Sequence, residues 1–123
     1  MRRRGFIAVA WTVAAALALP PAAAAMDEVE RARIDRLLMF IANQKDARFI
    51  RNGSAYSGRD AAKFLRGKFD KMGEHVSTAQ QFIDQIAARS STTGQPYLMR
   101  FADGSTRPVS QVLGEELARM DKS

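Results

Sequence analysis

The chain has one histidine, His75, and no cysteine. That removes most routes to nucleophilic and metal chemistry. His75 follows Gly73 in what reads as a connection between two helices. A general base needs a nucleophile and an orienting group within hydrogen-bond reach. No thiol is present to serve, and most serines sit where helix caps are expected. A lone histidine without thiolates is also a poor zinc donor set, so neither a metal site nor a cofactor is expected. Paired carboxylates can hydrolyse glycosides across a cleft. The acidic residues here fall instead at surface ion-pair spacings, such as Asp27 with Arg31 and Asp35 beside Arg36.

Two groups of polar residues have spacings that suit binding. Arg59, Lys63 and Arg66 recur at i, i+4, i+7, which places them on one side of a helix, and Arg51 enters from the turn just before it. With the amide donors and positive dipole end of the helix start near Ser57, they are candidates for an anion site, with Asn52 beside them. Ser90, Ser91, Thr92 and Thr93 line up ahead of Gly94, Pro96 and Tyr97. Polar loops of this composition are where binding residues concentrate. The candidate ligand residues are therefore Arg51, Asn52, Arg59, Arg66, Ser90, Ser91, Thr93 and Tyr97. Asn52, Gly53 and Ser54 also match a glycosylation sequon, but Asn-Gly between short β-favouring runs is first a hairpin-turn signal.

The elements that would carry these residues follow from hydrophobic periodicity. Ile34, Leu37, Leu38 and Ile41 mark the buried face of a helix over 27–44. Phe49 to Tyr56, around Asn52 and Gly53, reads as a small hairpin. Ser57, three residues ahead of Asp60, caps a second helix with Ala61, Phe64, Leu65, Phe69 and Met72 on its apolar face. Gly67 within it weakens it by ~1 kcal/mol relative to alanine and is expected to permit close packing; Gly73 ends it. Ser77 or Thr78 caps a third helix burying Ala79, Phe82, Ile83, Ile86 and Ala87. Tyr97 to Phe101 and Arg107 to Val109 flank an Asp103, Gly104 turn as a second hairpin, its return strand held to an edge by Pro108. Ser110 caps a last helix through Leu113, Leu117 and Met120. The expected fold is mainly α, about four short helices with one or two small β-hairpins. About fifteen large apolar side chains at ~1.5–3 kcal/mol each can stabilise it without a cofactor.

Residues 1–25 read as a secretory signal peptide. Arg2, Arg3 and Arg4 precede an apolar run from Phe6 to Leu19, ended by Pro20 and Pro21; Ala23 and Ala25 then supply an Ala-x-Ala cleavage site. The run is too short for the ~20 apolar residues that span a bilayer, so no transmembrane anchor is expected after cleavage. Arg3 and Arg4 before Gly5, Phe6 and Ile7 also resemble a twin-arginine core, but the strongly apolar run favours the general secretory route. The domain then runs from Met26 to Ser123, periplasmic or secreted, stable without disulfides. The formal charge of +6 includes the three leader arginines, so the domain is only mildly basic. That allows an acidic partner without requiring one, and no nucleic-acid-binding motif is present.

The blocks Phe49 to Ser54, Ala61 and Ala62, Phe64 to Arg66, Thr78 and Ala79, Phe82 to Asp84, and Ser90 and Ser91 with Thr93 to Tyr97 resemble the YfeK-like family of small exported bacterial proteins, along nearly the whole domain. That family is a domain of unknown function, so the resemblance implies boundaries and export and brings no activity. Export, small size, mild basicity and absent catalytic groups together lead to an expected function. It is a non-catalytic periplasmic binding or interaction module, recognising an envelope protein, an anionic polymer or a lipid head group. The alternative is a small cell-wall-directed hydrolase or transferase.

Overall fold

Asp27 starts the fold. Its carboxylate accepts from the Val29 N–H at 2.8 Å, satisfying one of the amides that a helix leaves open at its first turn. Helix α1 (Glu28–Ala42) follows and buries Ile34, Leu37, Leu38 and Ile41. The computed structural model describes residues 26–122; the expected signal segment, 1–25, lies outside them.

Strands β1 (Arg48–Arg51) and β2 (Ser54–Tyr56) form the first hairpin. Its turn places Asn52 at φ 50° and Gly53 at φ 85°, the left-handed conformation that this residue pair tolerates best. Helix α2 (Gly58–Met72) begins where Ser57 Oγ accepts from the Asp60 N–H. Helix α3 (Ala79–Phe82) is capped by Thr78 and runs on as a π-helical stretch, Ile83–Ala87. Strands β3 (Leu98–Arg100) and β4 (Thr106–Pro108) and helix α4 (Val109–Lys122) complete the chain.

The expected mainly helical domain with one or two small β-hairpins is corrected by the strand pairing. The two hairpins are halves of one antiparallel sheet in the order β2-β1-β3-β4. The joint is β1 against β3, with Arg48 opposite Arg100, Phe49 opposite Met99 and Ile50 opposite Leu98. The fold is a mixed α/β domain of four helices on a four-stranded sheet. Strands of three or four residues carry little pattern of their own. Their union is a long-range contact that local periodicity does not encode, driven by burying Phe49 and Met99, each 1% exposed, from one sheet face. As expected, β4 is an edge strand, which lets Pro108 stand in it without losing a ladder bond.

Three local expectations also change. Ser110 lies inside the first turn of α4, which starts at Val109, rather than capping it. Met72 is 52% exposed and does not join the buried face of α2. Gly67 permits no close packing, since a Cβ there would meet nothing within 4 Å. The close approach falls instead at Gly58, where a Cβ would come to 2.3 Å from the Ile41 carbonyl oxygen and hold α2 away from α1. The core joins α1, α2, α3, α4 and the sheet through Ile34, Leu65, Phe82, Tyr97, Leu113 and their neighbours. Phe69 and Phe82 meet edge to face at 5.5 Å.

Candidate functional site

Helix α2 carries a basic residue where its core-facing stripe should be apolar. Lys68 is 7% exposed. Its Nζ donates to the Arg89 carbonyl at 2.8 Å and to the Tyr97 hydroxyl at 3.1 Å, and lies 4.9 Å from the centre of the Tyr97 ring. The Arg89 carbonyl is open to it because the π-helical stretch has just ended. The chain there turns back on itself, with Ser90 N–H donating to the Gln95 carbonyl and Tyr97 N–H to the Ala88 carbonyl. Burial holds the Lys68 ammonium below its ordinary pKa, and the nearby charges of Arg51 and Arg89 press the same way. Burial raises the Tyr97 phenol, while the charge of Arg51 and a hydrogen bond from it pull the other way.

Lys68 and Tyr97 face a cavity of about 380 Å³. Lys63, Gly67 and Lys71 of α2 line one side of it at i, i+4, i+8. Phe64 and Met72 add apolar surface, and Arg51, Ser90, Ser91 and Thr92 close the rim. Four basic side chains thus surround one space whose lining includes no carboxylate. Among the described residues none of the four is in an ion pair. The Arg51 guanidinium lies 4.2 Å from the Phe64 ring centre and 5.9 Å from that of Tyr56. Arg51 and Phe64 also wall a second cavity of about 220 Å³, shared with Phe49, Tyr56, Asp60 and Ala61.

The expected ligand residues separate into three sets. Arg51, Ser90, Ser91 and Tyr97 line the larger cavity. Asn52 and Thr93 build its frame. Thr93 Oγ1 donates to Asn52 Oδ1 at 2.7 Å, and Asn52 Nδ2 donates to Ser90 Oγ at 3.4 Å, tying the first hairpin to the hydroxyl loop. Ser90 Oγ also accepts from the Thr92 and Thr93 amides, so the hydroxyl of this buried residue, 5% exposed, is the hub of the loop. Arg59 and Arg66 lie outside the cavity lining, and Arg66 pairs with Asp35 of α1 at 2.6 Å. The start of α2 does not open into the cavity either. Ser57 occupies the Asp60 amide, and Gly58 is packed against α1.

Lys68 and Lys71 are additions that the sequence reading missed. Lys68 stands next to Phe69 and four residues after Phe64, within an otherwise apolar stripe. A lysine in that place was the available signal. The lining can hold an anion by charge and by hydroxyl donors. Among the described residues no group of acidic or histidine side chains is arranged to hold a metal ion.

The comparisons with known proteins add no activity. The model of a family of unknown function, DUF5329, matches residues 28–121. The chain is 42% identical over 85 residues to the uncharacterized protein YfeK of Salmonella typhimurium, covering 69% of this chain and 71% of that protein. No solved structure matches. With a family match spanning all but the ends of the described region, the chain belongs to the DUF5329 family, the YfeK-like proteins of unknown function.

Proposed function

We propose that this protein is an exported, non-catalytic binding module whose cationic cavity takes an anionic component of the cell envelope. The observation that carries the reading is the convergence of Arg51, Lys63, Lys68 and Lys71 on one cavity with no lining carboxylate. Like charges held together raise each other's free energy, and an anion among them relieves that repulsion. The hydroxyl loop adds donors of adjustable direction. Arg51, fixed by its stacking on Phe64, offers a planar fork suited to phosphate or carboxylate. The carboxyls that a cell-wall hydrolase would need lie outside this space, which favours binding over the catalytic alternative.

The test is an amide chemical-shift titration of the purified protein with inorganic pyrophosphate, at low and at high salt. Saturable shifts in Lys63 to Met72 and Ser90 to Thr93, weaker at high salt because exposed charges are screened, are the expected result. Shifts confined to Arg59 and Arg66, or none, would overturn the reading. Export is tested separately by the intact mass of the periplasmic product, which should begin at Met26.

A further inference from the structure

Gly67 has no packing reason to be glycine. It lies inside α2, where glycine costs roughly 1 kcal/mol relative to alanine. A Cβ built on it meets no atom within 4 Å, and φ is not in the left-handed region that favours glycine. Yet Gly67 lines the larger cavity, between Lys63 and Lys71 on the same helix face. The surface around it is apolar. Phe64 is half-buried one turn before it, and Met72, 52% exposed, stands at the end of α2 with its sulfur 3.8 Å from Ser91 Oγ. The stems of Lys63 and Lys71 add methylenes beneath their charged ends.

A site for a bare inorganic anion has no use for this strip of apolar wall and bare backbone. Lys68 adds an independent observation. The residue is 7% exposed, and the Arg89 carbonyl and the Tyr97 hydroxyl take two of the three protons of its ammonium. The third remains for whatever enters the cavity.

We infer that the ligand is an amphiphilic organic anion, with a carboxylate or phosphate held by Lys63, Lys68, Lys71 and Arg51 and an apolar body laid across the bare backbone at Gly67 against Phe64 and Met72. This rests on the anion-binding reading above and specifies the class of anion. The cavity of about 380 Å³ is within the size range of small-molecule sites. The same chemistry is offered by a free organic acid and by an anionic lipid whose head group enters with the start of its chain.

Gly67 also supplies the test, because its surroundings have room for a side chain. Gly67→Leu fills the apolar strip from within, and Gly67→Ala fills it less. Both should fold, and the alanine variant should melt higher than the parent because it removes the glycine penalty. Wild type and both variants are titrated with octanoate and with inorganic phosphate by amide chemical shifts, and are sedimented with phosphatidylglycerol vesicles.

Octanoate should bind about tenfold more tightly than phosphate, the gain that burying about two methylenes provides. It should weaken by about tenfold or more in Gly67→Leu and by less in Gly67→Ala, with phosphate little changed. Vesicle binding that falls in the same order assigns the anion to a lipid. Octanoate binding without vesicle binding assigns it to a soluble acid. Phosphate binding as tightly as octanoate, or octanoate and vesicle binding indifferent to both variants, overturns the amphiphile and leaves the anion site standing. Binding of no probe overturns both.

Discussion

Replacing Lys68 with methionine separates the two roles that its position assigns to it. The side chains are similar in length, so little cavity is created. What is lost is a pair of hydrogen bonds from an ammonium, to the Arg89 carbonyl and the Tyr97 hydroxyl. Bonds to charged groups contribute ~1.5–3 kcal/mol each. Against that stands the desolvation of the ammonium, which already holds its pKa down. Removing a buried charge recovers several kcal/mol of that penalty in the least hydrated cases.

Because Lys68 and Tyr97 line a cavity that water can enter, the net expectation near neutral pH is a loss of ~1–3 kcal/mol, read from urea unfolding. The sign of the pH dependence follows from the lowered pKa. Between that value and the ordinary ~10.4 the unfolded chain holds the proton more tightly, so wild-type stability rises with pH through that window. It is lost again as pH falls through the lowered folded value. The raised Tyr97 opposes this only above ~10 and is common to both proteins. The stability difference between wild type and Lys68→Met should therefore widen on going alkaline. A methionine variant as stable as the parent, with a flat difference across pH, would refute the assignment of Lys68 as a bonded but strained member of the cavity wall.

Other consequences are as specific. Phe82→Ala, at a residue 0% exposed and edge to face with Phe69, should lose ~3–5 kcal/mol; a surface-like loss below ~1 kcal/mol would remove Phe82 from the core. Gly58→Ala should destabilise by ~1–3 kcal/mol despite alanine's better helix propensity, because its Cβ meets the Ile41 carbonyl oxygen; calorimetry decides it. Arg51→Ala should weaken pyrophosphate binding and also lower stability by ~1–2 kcal/mol through the lost stacking on Phe64, with Arg51→Lys restoring only part of the binding. Asn52→Asp removes the donor to Ser90 and adds a negative charge at the cavity frame. Hydrogen exchange should quicken in Ser90 to Thr93, while Phe82 stays protected.

The helices were legible from their apolar periods, although α3 runs on as a π-helical stretch and Ser110 does not cap α4. Ile34, Leu37, Leu38 and Ile41 are all buried, Ser57 and Thr78 act as caps, and Gly73 ends α2. The Asn52, Gly53 turn was legible because the required backbone admits so few residue pairs. The single sheet was not, since the pairing of β1 with β3 is a long-range contact, made as Phe49 and Met99 are buried in the common core.

The candidate site was half visible. Arg51 and the hydroxyl loop could be named from residue type and turn context. The assignment of Arg59, Lys63 and Arg66 to one face of α2 met tertiary structure. Arg66 was drawn to Asp35 on α1, while Lys63 remained with Lys71 at the cavity. Lys68 left one signal, a lysine inside the apolar stripe of α2, but its role could not be read without the carbonyl and the phenol that accept its protons.

The most direct test of the central claim is a pyrophosphate titration of the purified protein that follows Lys63, Gly67, Lys71 and Ser91 by NMR. A saturable response centred on those residues, lost in Lys63→Ala with Lys71→Ala and weakened by salt, is what a cationic binding cavity predicts. A titration in which those residues stay silent, or in which the double variant binds as well as the parent, would contradict it.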